Sequence, residues 1–136
     1  MNKFYLLTFF CFIFLFSTTA LACDFCYVKN LTCPTIVQTN KNFTITFEFS
    51  GTGPTYPYQH VGILMNNKKI GCIYFNEEAC EWKKSFYYIT APSEPGVYTY
   101  IVKCGAAMVS TSYLCGMDDD SASCTVNVVD EEISKI

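Results

Sequence analysis

Arginine is absent from this chain of 136 residues, histidine occurs once (His60), tryptophan once (Trp82), and only 15% of the residues are charged. Each scarcity excludes a class of function. Phosphate backbones are held by clustered cations, preferably arginine forks. Here eight lysines face twelve Asp and Glu once residues 1–22 are set aside, a net charge near minus four that argues against nucleic acids and anionic membrane surfaces as partners. A single histidine leaves an acyl-transfer triad short of a base with its own orienting acid, so no enzyme is expected. The acidic runs Glu77-Glu78 and Asp118-Asp119-Asp120 read as solvated turns rather than the two opposed carboxylates of glycoside hydrolysis. The aspartate run could contribute to a calcium site, but it lacks the spaced ligands and the glycine of an EF-hand loop. No metal, cofactor or catalytic residue is assigned.

Also missing are internal repeats, sustained helical periodicity and any apolar run long enough for a membrane span, which needs about 20 residues. What the N-terminus does have is Met1-Asn2-Lys3, an apolar stretch from Phe4 to Phe16, and Ala20-Leu21-Ala22. That is the layout of a cleaved signal peptide with an A-x-A site, assigned to residues 1–22. Removing it leaves 114 residues of the 136, enough for one domain with a single core. A bacterial lipoprotein with lipid on Cys23 is the competing reading. Ala20 stands where such proteins usually carry Leu, and lipidation would leave an odd number of thiols in an oxidising compartment.

Cysteine is plentiful. Cys11 leaves with the leader, and Cys23, Cys26, Cys33, Cys72, Cys80, Cys104, Cys115 and Cys124 remain. An even count in a short exported chain reads as a disulfide framework and places the protein outside the cell. Cys23-Asp-Phe-Cys26 has C-x-x-C spacing, but it lacks the βαβ setting of a redox site and a second such pair for zinc. Cys72 and Cys80 flank a short segment and make the best single pair. Cys23, Cys26 and Cys33 are expected to pair with Cys104, Cys115 and Cys124 in some order.

The remainder reads as antiparallel strands. Phe43, Ile45, Phe47 and Phe49 alternate with Thr44, Thr46 and Glu48, the period of a half-buried strand. Further strands are predicted over Leu31–Gln38, His60–Met65, Ile70–Phe75, Ser85–Thr90, Val97–Cys104 and Cys124–Val129. Ser50–Pro54, Asn66–Lys69 and Ala91–Gly96 are the breaks. Seven short strands separated by turns indicate an all-β, immunoglobulin-like antiparallel sandwich over residues 23–129, with a short tail over 130–136.

Two short motifs and the aromatics remain. Asn30-Leu-Thr32 and Asn42-Phe-Thr44 are N-glycosylation sequons if the host is a eukaryote, and both asparagines should lie at the surface. Inward aromatics either fill the core or line an apolar cavity, for which Phe47, Phe49, Val61, Ile63, Tyr98 and Tyr100 would be the walls. Alternatively the loops Gly51–Tyr58 and Gly105–Ser123, with Tyr56, Tyr58 and Tyr113, form a recognition surface.

The order of features resembles the ML lipid-recognition family, secreted immunoglobulin-like sandwiches that hold sterols or phospholipids between their sheets. The shared features are an early cysteine, Cys33-Pro34 before the first long strand, Val61-Gly-Ile-Leu-Met65, the pair Cys72 and Cys80, and Cys124 opening the last strand. Cys104 and Cys115 are additional to that pattern. The resemblance implies a Cys72–Cys80 bond, a bond from Cys23 or Cys26 to Cys124, and an apolar ligand.

The chain is therefore expected to be a secreted binding module that recognises a protein or glycan surface, with a lipid carrier as the alternative. Purified without reduction and freed of glycans, the mature chain should weigh eight hydrogens less than its fully reduced form, one for each of its eight cysteines. A smaller deficit would mean free thiols, and a retained adduct of lipid mass would mark a carrier.

Overall fold

A computed structural model describes residues 23–111 and 115–131. Residues 1–22, expected to be a leader, residues 112–114 with Tyr113, and residues 132–136 lie outside the described residues. Eight strands form: β1 (Val28–Thr32), β2 (Ile36–Gln38), β3 (Asn42–Ser50), β4 (Tyr58–Met65), β5 (Lys68–Phe75), β6 (Trp82–Thr90), β7 (Gly96–Ala107) and β8 (Asp120–Val129). They make a three-stranded sheet of order β1-β3-β6 and a five-stranded sheet of order β2-β8-β7-β4-β5. The described residues contain no α-helix.

The count is eight rather than seven because the first expected strand is two. Pro34 has no N–H to give to a ladder, and at Cys33-Pro34 the chain leaves β3 and crosses to the other sheet. There β2 pairs parallel with β8 (Val37 opposite Val128), whereas β1 runs antiparallel to β3. The β4–β5 hairpin turns on Asn66 and Asn67, both at positive φ (48° and 67°), a conformation asparagine tolerates. Asn66 also ties the turn to β7: its Oδ1 accepts the Thr99 N–H at 2.9 Å and its own N–H donates to the Thr99 carbonyl.

The alternation read from the sequence sets the core. Phe43, Ile45, Phe47 and Phe49 of β3 face Val61 and Ile63 of β4, Tyr100, Val102 and Cys104 of β7, and Val126 and Val128 of β8. Full burial contributes about 2–3 kcal/mol for each large apolar side chain. Phe43 meets Tyr100 edge-on at 5.5 Å, and Phe49 stacks on Phe75 at 4.2 Å.

Four disulfides join Cys23–Cys80, Cys26–Cys104, Cys33–Cys124 and Cys72–Cys115. The expected Cys72–Cys80 bond is not formed, and neither is a bond from Cys23 or Cys26 to Cys124. The reason is facial. Cys72 lies opposite Gly62, so it points away from the core, toward the segment that carries Cys115. Cys80 lies beyond the end of β5, in the loop that meets the mature N-terminus. Cys124 shares the inward face with Val126 and meets Cys33 where the chain crosses between sheets. Each bond closes 43 to 91 residues, about 4 kcal/mol apiece on a chain-entropy account, less where the loops overlap.

Non-reducing peptide mapping should recover these four cross-linked pairs. A peptide joining Cys72 to Cys80 would overturn the assignment.

Candidate recognition surface at the loop end of the sandwich

One end of the sandwich gathers the segment before β1 (23–27), the β3–β4 loop (51–57), the β5–β6 loop (76–81) and the described parts of the β7–β8 segment (108–111 and 115–119). Loops crowded together accumulate backbone amides that no ladder satisfies, and a buried unpaired amide is costly. Three side chains absorb them.

The first is Asp119. Its Oδ2 accepts the N–H of Cys26 at 3.0 Å and the N–H of Ala106 at 2.8 Å, while its own N–H donates to the Cys104 carbonyl at 2.9 Å. Asp120 accepts the Val28 N–H at 2.9 Å. β1 is an edge strand of the three-stranded sheet, and its Val28 amide, like the Cys26 amide just before the strand, turns to the aspartates rather than to β3. The two carboxylates therefore bridge the sheets beside the Cys26–Cys104 disulfide. Asp118, in contrast, sits 3.9 Å from Lys103 in an exposed ion pair. The acid run thus serves separate partners, and among the described residues no group of three or more His, Cys, Asp or Glu gathers as metal ligands.

The second is Gln59, fully buried. Its Nε2 donates to Thr52 Oγ1 at 2.5 Å, to the Pro57 carbonyl at 3.0 Å and to the Glu77 carbonyl at 3.1 Å, and its Oε1 accepts the Glu77 N–H at 2.9 Å. Thr52 in turn donates to the Tyr56 carbonyl. The β3–β4 and β5–β6 loops are thereby one unit, closed to the N-terminus by Cys23–Cys80 and by the Gly53 N–H on the Cys23 carbonyl at 2.9 Å.

The third is His60, which lies inside β4 rather than at a strand edge and is fully buried. Its Nε2 is 2.7 Å from the Val109 carbonyl. A carbonyl only accepts, so Nε2 carries the proton, and Nδ1 is left buried without a partner. The Tyr74 ring packs edge-on against the imidazole at 4.9 Å. His60 thus anchors the segment that folds back over the outer face of the five-stranded sheet. Gly62 and Gly105 permit that close approach: a Cβ on Gly62 would stand 2.5 Å from the Cys115 carbonyl oxygen, and one on Gly105 2.5 Å from Met117 Cβ.

The residues expected as cavity walls are placed differently. Phe47, Phe49, Val61, Ile63 and Tyr100 are between 0 and 2% exposed, packed among the buried side chains of both sheets. These five side chains belong to the core rather than lining an open cavity. Burial also raises the Tyr100 phenol above its ordinary pKa, with nearby Tyr98 adding to it. Its hydroxyl reaches Met65 Sδ at 3.5 Å. Tyr98 lies half-buried at the core margin and donates to the Glu94 carbonyl at 2.8 Å. Tyr56 and Tyr58 are half-buried as well, Tyr56 packing on the core. Tyr56 and Tyr58 are therefore not the fully exposed anchors that the sequence suggested.

What does project from this end is Phe25, Tyr27, Met108 and Val109, with Phe25 57% and Met108 65% exposed. Phe25 and Tyr27 flank Cys26, whose inward disulfide turns both rings outward. The Cys26 and Ala106 amides share one carboxylate oxygen, so the segments bearing Phe25 and Met108 run side by side. The signal for this lay in the sequence: an aromatic on each side of an inward-facing cysteine must face solvent.

No protein-family model matches the chain, and no curated protein matches its sequence. Solved structures do. The CARDB domain of the PF1109 protein from Pyrococcus furiosus, crystallised in complex with di-metal ions, superposes with a TM-score of 0.60 at 18% identity. That match covers 84% of this chain and 100% of the other. The solution NMR structure of the same domain gives a TM-score of 0.50 at 16% identity, over 78% of this chain and 94% of that one. At these identities the likeness is one of fold, an immunoglobulin-like β-sandwich.

Replacing Asp119 with Ala strands two amides beside the Cys26–Cys104 bond and should cost about 2–4 kcal/mol. Asp118→Ala loses only an exposed ion pair and should cost under about 0.5 kcal/mol. Urea unfolding of both variants measures the difference, and equal small losses would show that the bridge carries no stability.

Proposed function

We propose that this chain is an exported, non-catalytic recognition module that binds a protein surface through the loop end of its sandwich. The observation that carries the reading is convergence: three disulfides and the side chains of Asp119, Gln59 and His60 all fasten this one end, yet Phe25, Tyr27, Met108 and Val109 stay exposed on it. Ordering loops on binding opposes affinity, and loops ordered in advance avoid that loss. Aromatic residues and methionine are the side chains enriched at the centres of protein interfaces. An apolar cluster on a braced frame is what such a site requires.

Export is supported by the leader-like N-terminus and by four disulfides, which persist in oxidising compartments. A binding role without catalysis is supported by the state of His60, whose Nε2 is committed to a carbonyl and whose ring is closed to solvent. The close-packed interior favours surface recognition over carriage of an apolar ligand.

The test is binding of the purified, labelled protein to surface proteins of its source cells. Phe25→Ala combined with Met108→Ala should weaken saturable binding at least about tenfold, the scale of a single interface anchor. Val97→Ala, an exposed apolar residue at the opposite end of β7, should leave it unchanged. Full binding by the double variant would rule out the loop end as the site.

A further inference from the structure

The outer face of the three-stranded sheet carries a second apolar feature. Trp82, Phe86 and Tyr88 project from β6, with Phe86 54% and Tyr88 70% exposed, and Phe86 meets Tyr88 edge-on at 5.2 Å. Beside Phe86 lies an open cleft of about 400 Å³, bounded by Thr46, Glu48, Lys84, Phe86 and Asn30. Asn30 is the acceptor of the first sequon, and its Nδ2 donates to Glu48 across the cleft. The second sequon opens β3 on the same face, where Asn42 Oδ1 accepts the Thr90 hydroxyl at 2.8 Å. Both attachment points therefore border the aromatic stripe, with Thr44 opposite Tyr88 and Thr46 opposite Phe86.

We propose that Asn30 carries an N-glycan whose first sugar rings lie in this cleft against Phe86. The inference rests on the export proposed above, because glycans are added in a eukaryotic secretory pathway. The chemistry of the cleft matches a hexosamine: an aromatic face takes the C–H side of a pyranose, while Thr46, Glu48 and Lys84 offer hydrogen-bond partners for its hydroxyls and acetamide. The attachment atom is on the rim, so the ring is delivered at high effective concentration and only weak intrinsic affinity is needed. The glycan also covers an apolar patch that would otherwise invite association. The sugar carried by Asn30 is the occupant, and the loop end stays clear for a partner.

The test uses the full chain secreted from a eukaryotic host, with Thr32→Ala to remove the sequon while keeping the Asn30 side chain. Glycopeptide mass spectrometry should find Asn30 occupied in the parent and bare in the variant. A protein that is secreted with Asn30 bare overturns the glycan while leaving export standing. Retention of the chain in the cell overturns export itself. Given occupancy, Thr32→Ala should lower the unfolding midpoint by about 3–6 °C, and by less than about 1 °C when Phe86 is also Ala or Leu. The same Thr32→Ala change in unglycosylated protein from a bacterial periplasm should have no such effect. Equal drops with and without Phe86 would overturn the packing.

Discussion

A single carboxylate oxygen sets the geometry of this sandwich. Asp119 Oδ2 holds the amides of Cys26 and Ala106 at 3.0 and 2.8 Å, one from the strand leading into the three-stranded sheet and one from the five-stranded sheet. Two flat sheets packed on apolar side chains can slide, because dispersion and the hydrophobic effect are nearly indifferent to small displacements. A charged acceptor with two donors is directional and short-ranged. It fixes the register between the sheets at one end, and the Cys26–Cys104 bond beside it makes that register covalent. Cys33–Cys124 does the same where β1 hands over to β2.

The bracing is uneven. At the opposite end the β4–β5 turn is held by Asn66 on Thr99, and the β6–β7 connection by prolines and the Tyr98 hydroxyl. These are single interactions, each sufficient to define a short turn. The loop end carries longer connections with more amides to satisfy, and Asp119, Gln59 and His60 each take up backbone groups of different loops. Stability alone would be served as well by shortening those loops. Their retention, fixed and with apolar tips, is what favours a surface shaped for contact.

The strands were legible because β3, β7 and β8 alternate strictly, and period two assigns each residue to a face without knowledge of the partner strand. The pairing was not legible. Proximity in sequence favoured Cys72 with Cys80, but Cys72 belongs to the outer face of β5, and only the return of the β7–β8 segment over Gly62 supplies its partner. Buried polar anchors were missed for a related reason. Gln59 lies just before the strand expected from His60, and the partners that give both their roles, the Glu77 and Val109 carbonyls, are 18 and 49 residues away. The aspartate run suggested either solvent or a cation. Acids directly before a strand can equally serve the amides of the strand they meet, and here two of three do.

Fold likeness to the CARDB domain at 18% identity follows from the same division between pattern and detail. A sandwich of this kind needs alternating apolar strands, turns at the right spacing and a device that locks one sheet to the other. The first two requirements are met by many sequences, which is why backbones superpose while residues differ. The lock is local chemistry. In this chain it is the Cys26–Cys104 and Cys33–Cys124 bonds with Asp119 and Asp120, and the placement of these groups leaves three surfaces of different character. The outer face of the five-stranded sheet is partly roofed by the β7–β8 segment, the outer face of the three-stranded sheet bears aromatics between two sequons, and the loop end is rigid and apolar.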